Sequence, residues 1–248
     1  MTTSAAGPAP ATRRARQREA TLTEIKSLAR EQLAEEGTGA VNLRAIARHM
    51  GTASSALYRY FPSHEDLISA LCADAYDAGA AAMAAARDGV PAADHAGRFQ
   101  AVCYAVRQWA LGNRADFALI AGTPIPGYRA PWDATGPAAA RYSSIPAMLY
   151  IAAVQAGAAD PGRSQMPPDL KAGPLLEDLV NRVGLAVPSG QIVAIMGGAW
   201  ASIRGFLGME IFGSLQQTVD DTDALYRGHI RTVMAGMGYT AVCSDGAD

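Results

Sequence analysis

The sequence predicts an all-α protein, and two observations lead to that prediction. Alanine is abundant while β-branched residues are sparse, a composition that favours helix over strand. Apolar residues recur at helical spacing along most of the chain, whereas no run alternates apolar and polar residues as a half-buried strand requires. Half of the 248 residues are hydrophobic, so the chain can bury the core of one large domain or two small ones.

The first predicted helix runs from about 13 to 36 and ends at Gly37, a common helix terminator. The second runs from 42 to 50, with Asn42 as its N-cap, because an Asn side chain accepts hydrogen bonds from free backbone N–H groups. The apolar residues behind these assignments are Leu22, Ile25, Leu28, Ala29 and Leu33 on the first helix, and Val41 and Ile46 as a hydrophobic staple on the second.

The third predicted helix is short, about 53 to 60, because Pro62 disfavours the helical conformation at Phe61. The fourth begins at Ser63, an N-cap with Asp66 at the third helical position, and continues to about residue 87. Beyond residue 90 the helical pattern is interrupted by a Pro- and Gly-rich loop and by a mobile linker. The loop spans 122–137 and the linker spans 160–173. One predicted helix covers 94–113, and a second runs from the end of the loop to about 159. The last three predicted helices cover 175–183, 189–212 and 220–237.

Charge is unevenly distributed along the chain. Residues 1–62 hold nine Lys and Arg against five Glu, a net charge of +4, and the remainder holds twelve against eighteen, a net charge of −6. A basic N-terminal quarter on an acidic body is typical of a local nucleic-acid contact. A chance distribution of solvated charges is the alternative.

The second and third helices are joined by a short turn containing Gly51, which is the spacing of a helix-turn-helix. In that motif the later helix enters the major groove of DNA, so its exposed face needs short side chains near the bases. Ser54, Ser55 and Ala56 lie on its first turn and meet this need. An ordinary amphipathic helix hairpin has the same shape and is the alternative.

Groups that can reach phosphates follow in the same segment. They are the side chains of Tyr58, Arg59 and Tyr60. His64 adds a further candidate at the capped start of the fourth helix, whose dipole favours an anion. Leu57 and Phe61 are four residues apart and are predicted to face the other way, packing on the first two helices.

The segment GTASSALYRYFPSHEDL, preceded by VNLRAIARHM, closely resembles the DNA-binding domain of the TetR/AcrR family of bacterial transcriptional regulators. The resemblance covers about 13–71. It implies DNA contacts at Asn42, Arg44, Tyr58, Tyr60 and His64.

Two positions depart from the family pattern. His64 stands where Lys or Arg is usual, which predicts a weaker phosphate contact near neutral pH. Ala53 stands where a serine N-cap is frequent, which leaves Thr52 as the candidate cap and as a further residue of the DNA-binding surface.

The C-terminal part resembles the family's effector-binding and dimerisation domain. GGAWASIRGFLGMEIFG, at 197–213, is similar to the signature of the WHG type of this domain, with Trp200 and Gly205 present and Arg204 in place of the histidine. DFALIAGTPIPGYRAP, at 116–131, is similar to a mid-chain segment of such regulators. The candidate ligand-binding residues are Tyr104, Trp109, Phe117, Tyr142 and Arg204, and each aromatic residue has plain core packing as its alternative.

Small residues at Gly197, Ala201 and Gly205 recur every four positions, so one ridge of that helix is nearly bare and a second helix can approach closely. The partner helix belongs either to a second subunit or to the same subunit. Arg204 is the only charge between 192 and 209; its candidate partner is Glu210 of the same or of the second subunit, and an acidic effector is the alternative. The candidate dimer-interface residues are Gly197, Trp200, Ala201, Gly205, Ile230 and Val233.

Other classes of protein lack support in the sequence. The four histidines are isolated, no group of residues has metal-ligand spacing, and neither GxSxG nor a phosphate-binding glycine loop occurs. We therefore expect no enzyme, metal or cofactor. Three widely spaced cysteines fit neither a disulfide framework nor a zinc site and favour a reducing cytosol, with Cys72 and Cys103 as core thiols.

Residues 1–12 have no apolar core and are predicted to form a disordered tail rather than a signal peptide. The apolar run 192–203 is too short to span a bilayer, so we expect a soluble, cytoplasmic protein. The predicted domains are a DNA-binding domain at 13–71 and a ligand-binding and dimerisation domain at 72–240.

Together these features predict a homodimeric transcriptional regulator, a repressor that binds a palindromic operator and that a small molecule releases. The alternative is a non-regulatory helical binding protein whose helix-turn-helix contacts another protein.

Overall fold

The computed structural model describes residues 12–37, 41–121, 125, 127–167, 170–171 and 189–240. Throughout these residues the regular structure is helical, with one isolated β-bridge between Ala159 and Tyr239, so the all-α prediction is confirmed. The described helices are α1 (Arg13–Glu36), α2 (Leu43–His49), α3 (Ser54–Leu57), α4 (His64–Asp88), α5 (His95–Gly112), α6 (Arg114–Ala121), α7 (Trp132–Gln155), α8 (Ser189–Ile211) and α9 (Thr222–Gly236), with a single 3-10 turn at Pro161–Arg163.

The start of α1 corrects the predicted extent of the N-terminal tail. Thr12 is the N-cap, and its hydroxyl accepts a hydrogen bond from the Ala15 backbone N–H at 3.2 Å. The tail prediction for residues 1–11 lies outside the described residues. Thr12 therefore belongs to the folded domain, because its side chain satisfies one of the free N–H groups of the first turn.

The turn between α2 and α3 corrects the predicted cap of α3. Gly51 adopts a positive φ of 63°, and the Thr52 backbone N–H donates to the Ala47 carbonyl at 3.0 Å, which closes the C-terminus of α2. The N-cap of α3 is Ala53, without a side-chain hydrogen bond. Thr52 is thus part of the end of α2 and does not cap α3.

Helix α4 connects the two predicted domains, because it runs without a break across the predicted boundary at residues 71 and 72. Ser63 and Asp66 form the predicted capping box at its start. Along its length α4 packs mainly against α7 and α5, and its buried face includes Leu67, Leu71 and Met83. A displacement of this helix would therefore move both domains.

Two features of the middle region differ from prediction. Helix α6 was not predicted, because only one residue, Asn113, separates it from α5. Helix α7 begins at Trp132, inside the predicted loop, and contains Pro137 and Pro146. Each of these prolines removes a backbone hydrogen bond, but burial of Tyr142, Leu149 and Tyr150 on the same helix stabilises it.

Helices α8 and α9 lie within two residues of their predicted positions, whereas the predicted helix at 175–183 lies outside the described residues. Among the described helices, α8 is the one long and apolar enough to cross a membrane by length and composition. Its apolar face, with Ile195, Ile203 and Leu207, is buried in the subunit core. That burial is typical of a core helix.

Candidate nucleic-acid interface and effector-binding body

Helix α3 presents a polar face to solvent and an apolar face to the core, as predicted. Tyr58 is 42% exposed, and Ser55 and Arg59 are also exposed. Leu57 and Phe61 are buried against the N-terminal helices. The residues expected at base edges and phosphates therefore lie on one accessible surface, with Ser54, Ala56 and Tyr60 half-buried at its edges.

Asn42 and Arg44 lie at the start of α2. The Asn42 side-chain oxygen accepts hydrogen bonds from the backbone N–H groups of Arg44 at 3.0 Å and Ala45 at 3.2 Å. Its own backbone N–H donates to the Gln32 side chain at 2.8 Å, which links α2 to α1. With this oxygen engaged in the cap, only the amide N–H groups of Asn42 remain to meet a phosphate, whereas the Arg44 guanidinium is exposed.

The first turns of α1 lie beside α3, an arrangement that the sequence did not predict. A groove of about 730 Å³ separates the two helices. The guanidinium of Arg18 stacks over the ring of Tyr60 at 5.2 Å, which holds both side chains in place. The residues lining the groove are Arg13, Arg14, Gln17, Arg18, Ala56, Arg59 and Tyr60. Three arginines of α1, Arg13, Arg14 and Arg18, thus extend the candidate DNA-binding surface beyond the helix-turn-helix; the excess of positive charge near residue 13 was the only signal for them in the sequence.

His64 is the first residue of α4 and is half-buried. The capping box already occupies the first-turn backbone, and Glu65 and Asp66 place two carboxylates there. These carboxylates oppose an approaching phosphate. His64 therefore remains a predicted contact, but the start of α4 is less favourable to an anion than its dipole alone suggests.

The predicted ligand-binding aromatic residues separate into two places. Trp109, Phe117 and Tyr142 form one buried cluster, in which ring centroids lie 6.5 Å apart for Trp109 and Phe117 and 6.4 Å for Trp109 and Tyr142. Trp200 joins this cluster at 5.8 Å from Tyr142. Tyr104 lies elsewhere, 6.0 Å from Tyr226. The fold thus brings Trp200, predicted for the dimer interface, next to the predicted ligand-binding residues.

The predicted pairing of Arg204 with Glu210 is wrong. Glu210 is buried and accepts two hydrogen bonds from Arg107 of α5, at 2.6 and 2.8 Å. These hydrogen bonds raise the pKa of Arg107. Six residues along a helix place Arg204 and Glu210 on different faces. Arg204 instead donates to the Ile120 carbonyl at 2.5 Å.

The small-residue ridge of α8 faces solvent. Gly197, Ala201 and Gly205 are exposed, and a Cβ at either glycine would meet no atom within 4 Å. Within the described residues, therefore, no helix of the same subunit packs on the ridge. Ile230, predicted for the interface, is 0% exposed and packs inside the subunit, because it lies on the core-facing side of α9; Val233 is half-buried.

Other reactive groups are buried or dispersed. Cys72 and Cys103 lie in the core as predicted, and burial raises the pKa of the Cys72 thiol to about 11. No group of three or more His, Cys, Asp or Glu side chains within the described ranges is arranged to hold a metal ion.

Comparison with known proteins agrees with this architecture. The family described as "Bacterial regulatory proteins, tetR family" matches residues 25–71, and the one described as "Tetracyclin repressor-like, C-terminal domain" matches residues 99–233. The HTH-type transcriptional regulator Rv1816 of Mycobacterium tuberculosis (strain H37Rv) is 35% identical over 198 residues, which cover 79% of this chain and 82% of that protein.

Among solved structures, the regulatory protein SCO4313 is 29% identical with a TM-score of 0.68, covering 90% of this chain and all of that one. RolR in complex with resorcinol is 17% identical with a TM-score of 0.50, covering 88% and 89% of the two chains, and shares the fold. The chain belongs to the TetR family of bacterial transcriptional regulators, whose members bind DNA and are generally ligand-responsive.

Proposed function

We propose that this protein is a cytoplasmic repressor that binds a palindromic operator as a homodimer and that a small-molecule effector releases from DNA. It has no catalytic role in this proposal. The observation that carries the proposal is the continuous surface formed by the polar face of α3 and the arginines of α1. Short side chains for base edges and cations for phosphates lie there side by side.

Residues 13–71 are the proposed DNA-binding domain. Ser54, Ser55 and Ala56 read base edges, while Tyr58 and Arg59 contact phosphates. The remaining contacts come from Asn42, Arg44, Thr52, Tyr60 and His64, joined by Arg13, Arg14 and Arg18 of α1. Because Arg18 stacks on Tyr60, it is positioned before DNA arrives.

Residues 72–240 are the proposed effector-binding and dimerisation domain. One helix-turn-helix contacts few base pairs, so useful specificity requires two heads about one helical turn apart or more. The exposed ridge of α8 supports a subunit interface, since a second helix can approach it closely. Met209 of α8 and Phe212, just after the end of that helix, are 50% and 56% exposed and add apolar area that a second subunit would cover.

Effector release requires a connection between the two domains. The aromatic cluster around Tyr142 and Trp200 supports a ligand site in the body, and α4 links the body to the DNA-binding head. A ligand that binds one arrangement of the heads more tightly shifts the population toward it. RolR, which has the same fold, binds resorcinol in its solved complex, and this supports a small molecule as the effector.

Fluorescence anisotropy with DNA from upstream of the protein's own gene, against a scrambled duplex, tests the proposal. We expect tighter binding to the upstream DNA and an affinity that falls steeply with salt. Arg18→Ala and Arg59→Ala should each weaken binding to both duplexes and reduce the slope of log affinity against log salt by about 1. Arg163→Ala, at an exposed position of the body, is the matched control and should leave the slope unchanged.

Two results would contradict the proposal. Affinity that stays flat between low and physiological salt would exclude a phosphate-contacting surface. Absence of DNA binding, together with capture of a protein through α3, would instead favour a helix-turn-helix that contacts another protein.

A further inference from the structure

The candidate site is a groove of about 660 Å³ between α8 and the end of α6. We call it the Arg204 groove. Its size is in the range of small-molecule sites, and among the described residues Arg204 is the only charged one that lines it. The other lining residues are small or apolar and include Gly197, Trp200, Ala201, Gly205, Met209 and Phe212.

Arg204 has hydrogen-bond donors that are available to a ligand. Its guanidinium carries five N–H groups, and one nitrogen donates to the Ile120 carbonyl. No ion pair joins it to an acidic side chain in the part of the chain that the structure describes, and Glu210 is engaged by Arg107. A half-buried guanidinium without a countercharge is energetically unfavourable unless a bound anion pairs with it.

Within the described ranges, the neighbouring side chains supply hydrogen-bond donors but no negative charge. The indole N–H of Trp200 is buried and finds no partner among these residues, which is unusual for a buried polar group. Burial raises the pKa of Tyr76 and of Tyr142, although the positive charge of Arg204 acts in the opposite direction. Both phenols are therefore neutral at physiological pH and do not neutralise the guanidinium.

We propose that the Arg204 groove binds an organic carboxylate with an apolar body and that this carboxylate is the effector, an inference that rests on the proposed function above. The carboxylate pairs with the Arg204 guanidinium in a forked arrangement, and a small rotation of the Trp200 side chain would bring its indole N–H to the same carboxylate. Its apolar body lies along Met209 and Phe212, beyond the part of the ridge on which a second helix packs. A phosphate ester fits less well, because a dianion in an apolar groove needs more than one cation.

The groove adjoins the small-residue ridge that we propose as the subunit interface, since Gly197, Ala201 and Gly205 belong to both. A second subunit would cover the mouth of the groove. A bound carboxylate would then be in contact with both subunits or with the elements that set their separation. This gives the ligand a direct way to favour one arrangement of the DNA-binding heads.

Isothermal titration calorimetry on the full-length protein without DNA tests binding. The probes are matched carboxylate and carboxamide pairs: 2-naphthoate and 2-naphthamide, 4-phenylbutyrate and 4-phenylbutanamide, decanoate and decanamide. We expect at least one carboxylate to bind saturably and at least 10-fold more tightly than its amide. No binding by any of the three carboxylates, or equal binding by acid and amide, overturns the proposal.

Variants locate the site. Arg204→Gln should remove the preference for the acid, whereas Arg204→Lys should keep part of it because the charge remains. Trp200→Phe keeps an aromatic side chain, though a smaller one, and removes the N–H, so it should weaken binding of the carboxylate about 3- to 10-fold and binding of the amide less. Arg163→Gln is the control for loss of a surface arginine. If the Lys variant binds no better than the Gln variant although circular dichroism shows both to be folded, the charge on Arg204 is not what recognises the ligand, and the proposal fails.

A DNA measurement separates this inference from the proposed function. Adding the bound carboxylate to the protein–DNA complex should lower DNA affinity at least 10-fold. DNA binding without carboxylate binding would be consistent with the proposed regulatory function but would overturn this inference. Carboxylate binding at Arg204 that leaves DNA affinity unchanged would overturn its role as the effector.

Discussion

Arg30 of α1 and Asp116 of α6 are joined by two hydrogen bonds, at 2.9 and 3.2 Å, across the boundary between the DNA-binding head and the body. The same guanidinium reaches Asp74 of α4 at 3.3 Å, and Lys26 reaches Asp74 at 2.9 Å. Burial lowers the pKa of Arg30, but its hydrogen bonds and charge pairs with the two carboxylates outweigh burial and raise it. Head and body are therefore connected by charges as well as by the continuous helix α4.

The pair of Arg30 and Asp116 should show energetic coupling. Because Asp116 is buried, Asp116→Asn should leave Arg30 less well paired, and a double-mutant cycle with Arg30→Gln should give a coupling of about 1 kcal/mol in urea unfolding. The control pair is Arg141 and Asp77, which is exposed within the body and should couple by less than about 0.5 kcal/mol. Additive effects at Arg30 and Asp116 would exclude the link.

Roles should divide along the recognition surface. Tyr58→Phe and Arg44→Ala remove groups proposed for phosphates, so they should weaken binding to operator and random DNA alike. Ser54 and Ser55 substitutions should instead change base preference, by about 1 to 3 kcal/mol per lost contact. Selection from a randomised DNA library measures this. Ser54 and Ser55 variants that select the parental sequence would contradict the division.

Gly205→Leu should convert the dimer to monomers. A Cβ at this position meets no atom of the described residues of its own subunit within 4 Å, so the start of a side chain has room there, but a leucine would hold a second helix away from the ridge. Gly112→Leu is the matched control, because that position also has open space and lies on α5. Sedimentation velocity distinguishes the species; a wild-type monomer, or a Gly205→Leu dimer as tight as wild type, would count against the interface.

The pair of Arg107 and Glu210 should be a major source of stability in the body. Their side chains are 7% and 3% exposed, so Glu210→Gln leaves a buried guanidinium with only the exposed Asp223 as its countercharge. We expect a loss of about 3 kcal/mol in the free energy of unfolding. Asp223→Asn is the control and should cost less than about 1 kcal/mol, because Asp223 is 67% exposed. Protein concentration must be held constant, since dimerisation adds to apparent stability.

The helices of the head and the location of the recognition helix follow from local sequence patterns alone. Asn42, the Ser63 and Asp66 capping box, and Pro62 act on backbone groups within four residues, so their effects are visible in the local sequence. The core faces of Leu57 and Phe61 followed from helical spacing in the same way. One contiguous segment carries most of the candidate DNA-binding residues.

The partners of the charged side chains depend on how the helices pack together. Glu210 pairs with Arg107, 103 residues away, and Arg204 donates to Ile120, 84 residues away, instead of to each other. The same packing placed the α1 arginines beside α3, buried Ile230 and left the ridge around Gly205 open. A helical pattern states which face of a helix is apolar, but which helix that face meets depends on how all the faces pack together, so contacts between distant residues are not determined by local spacing.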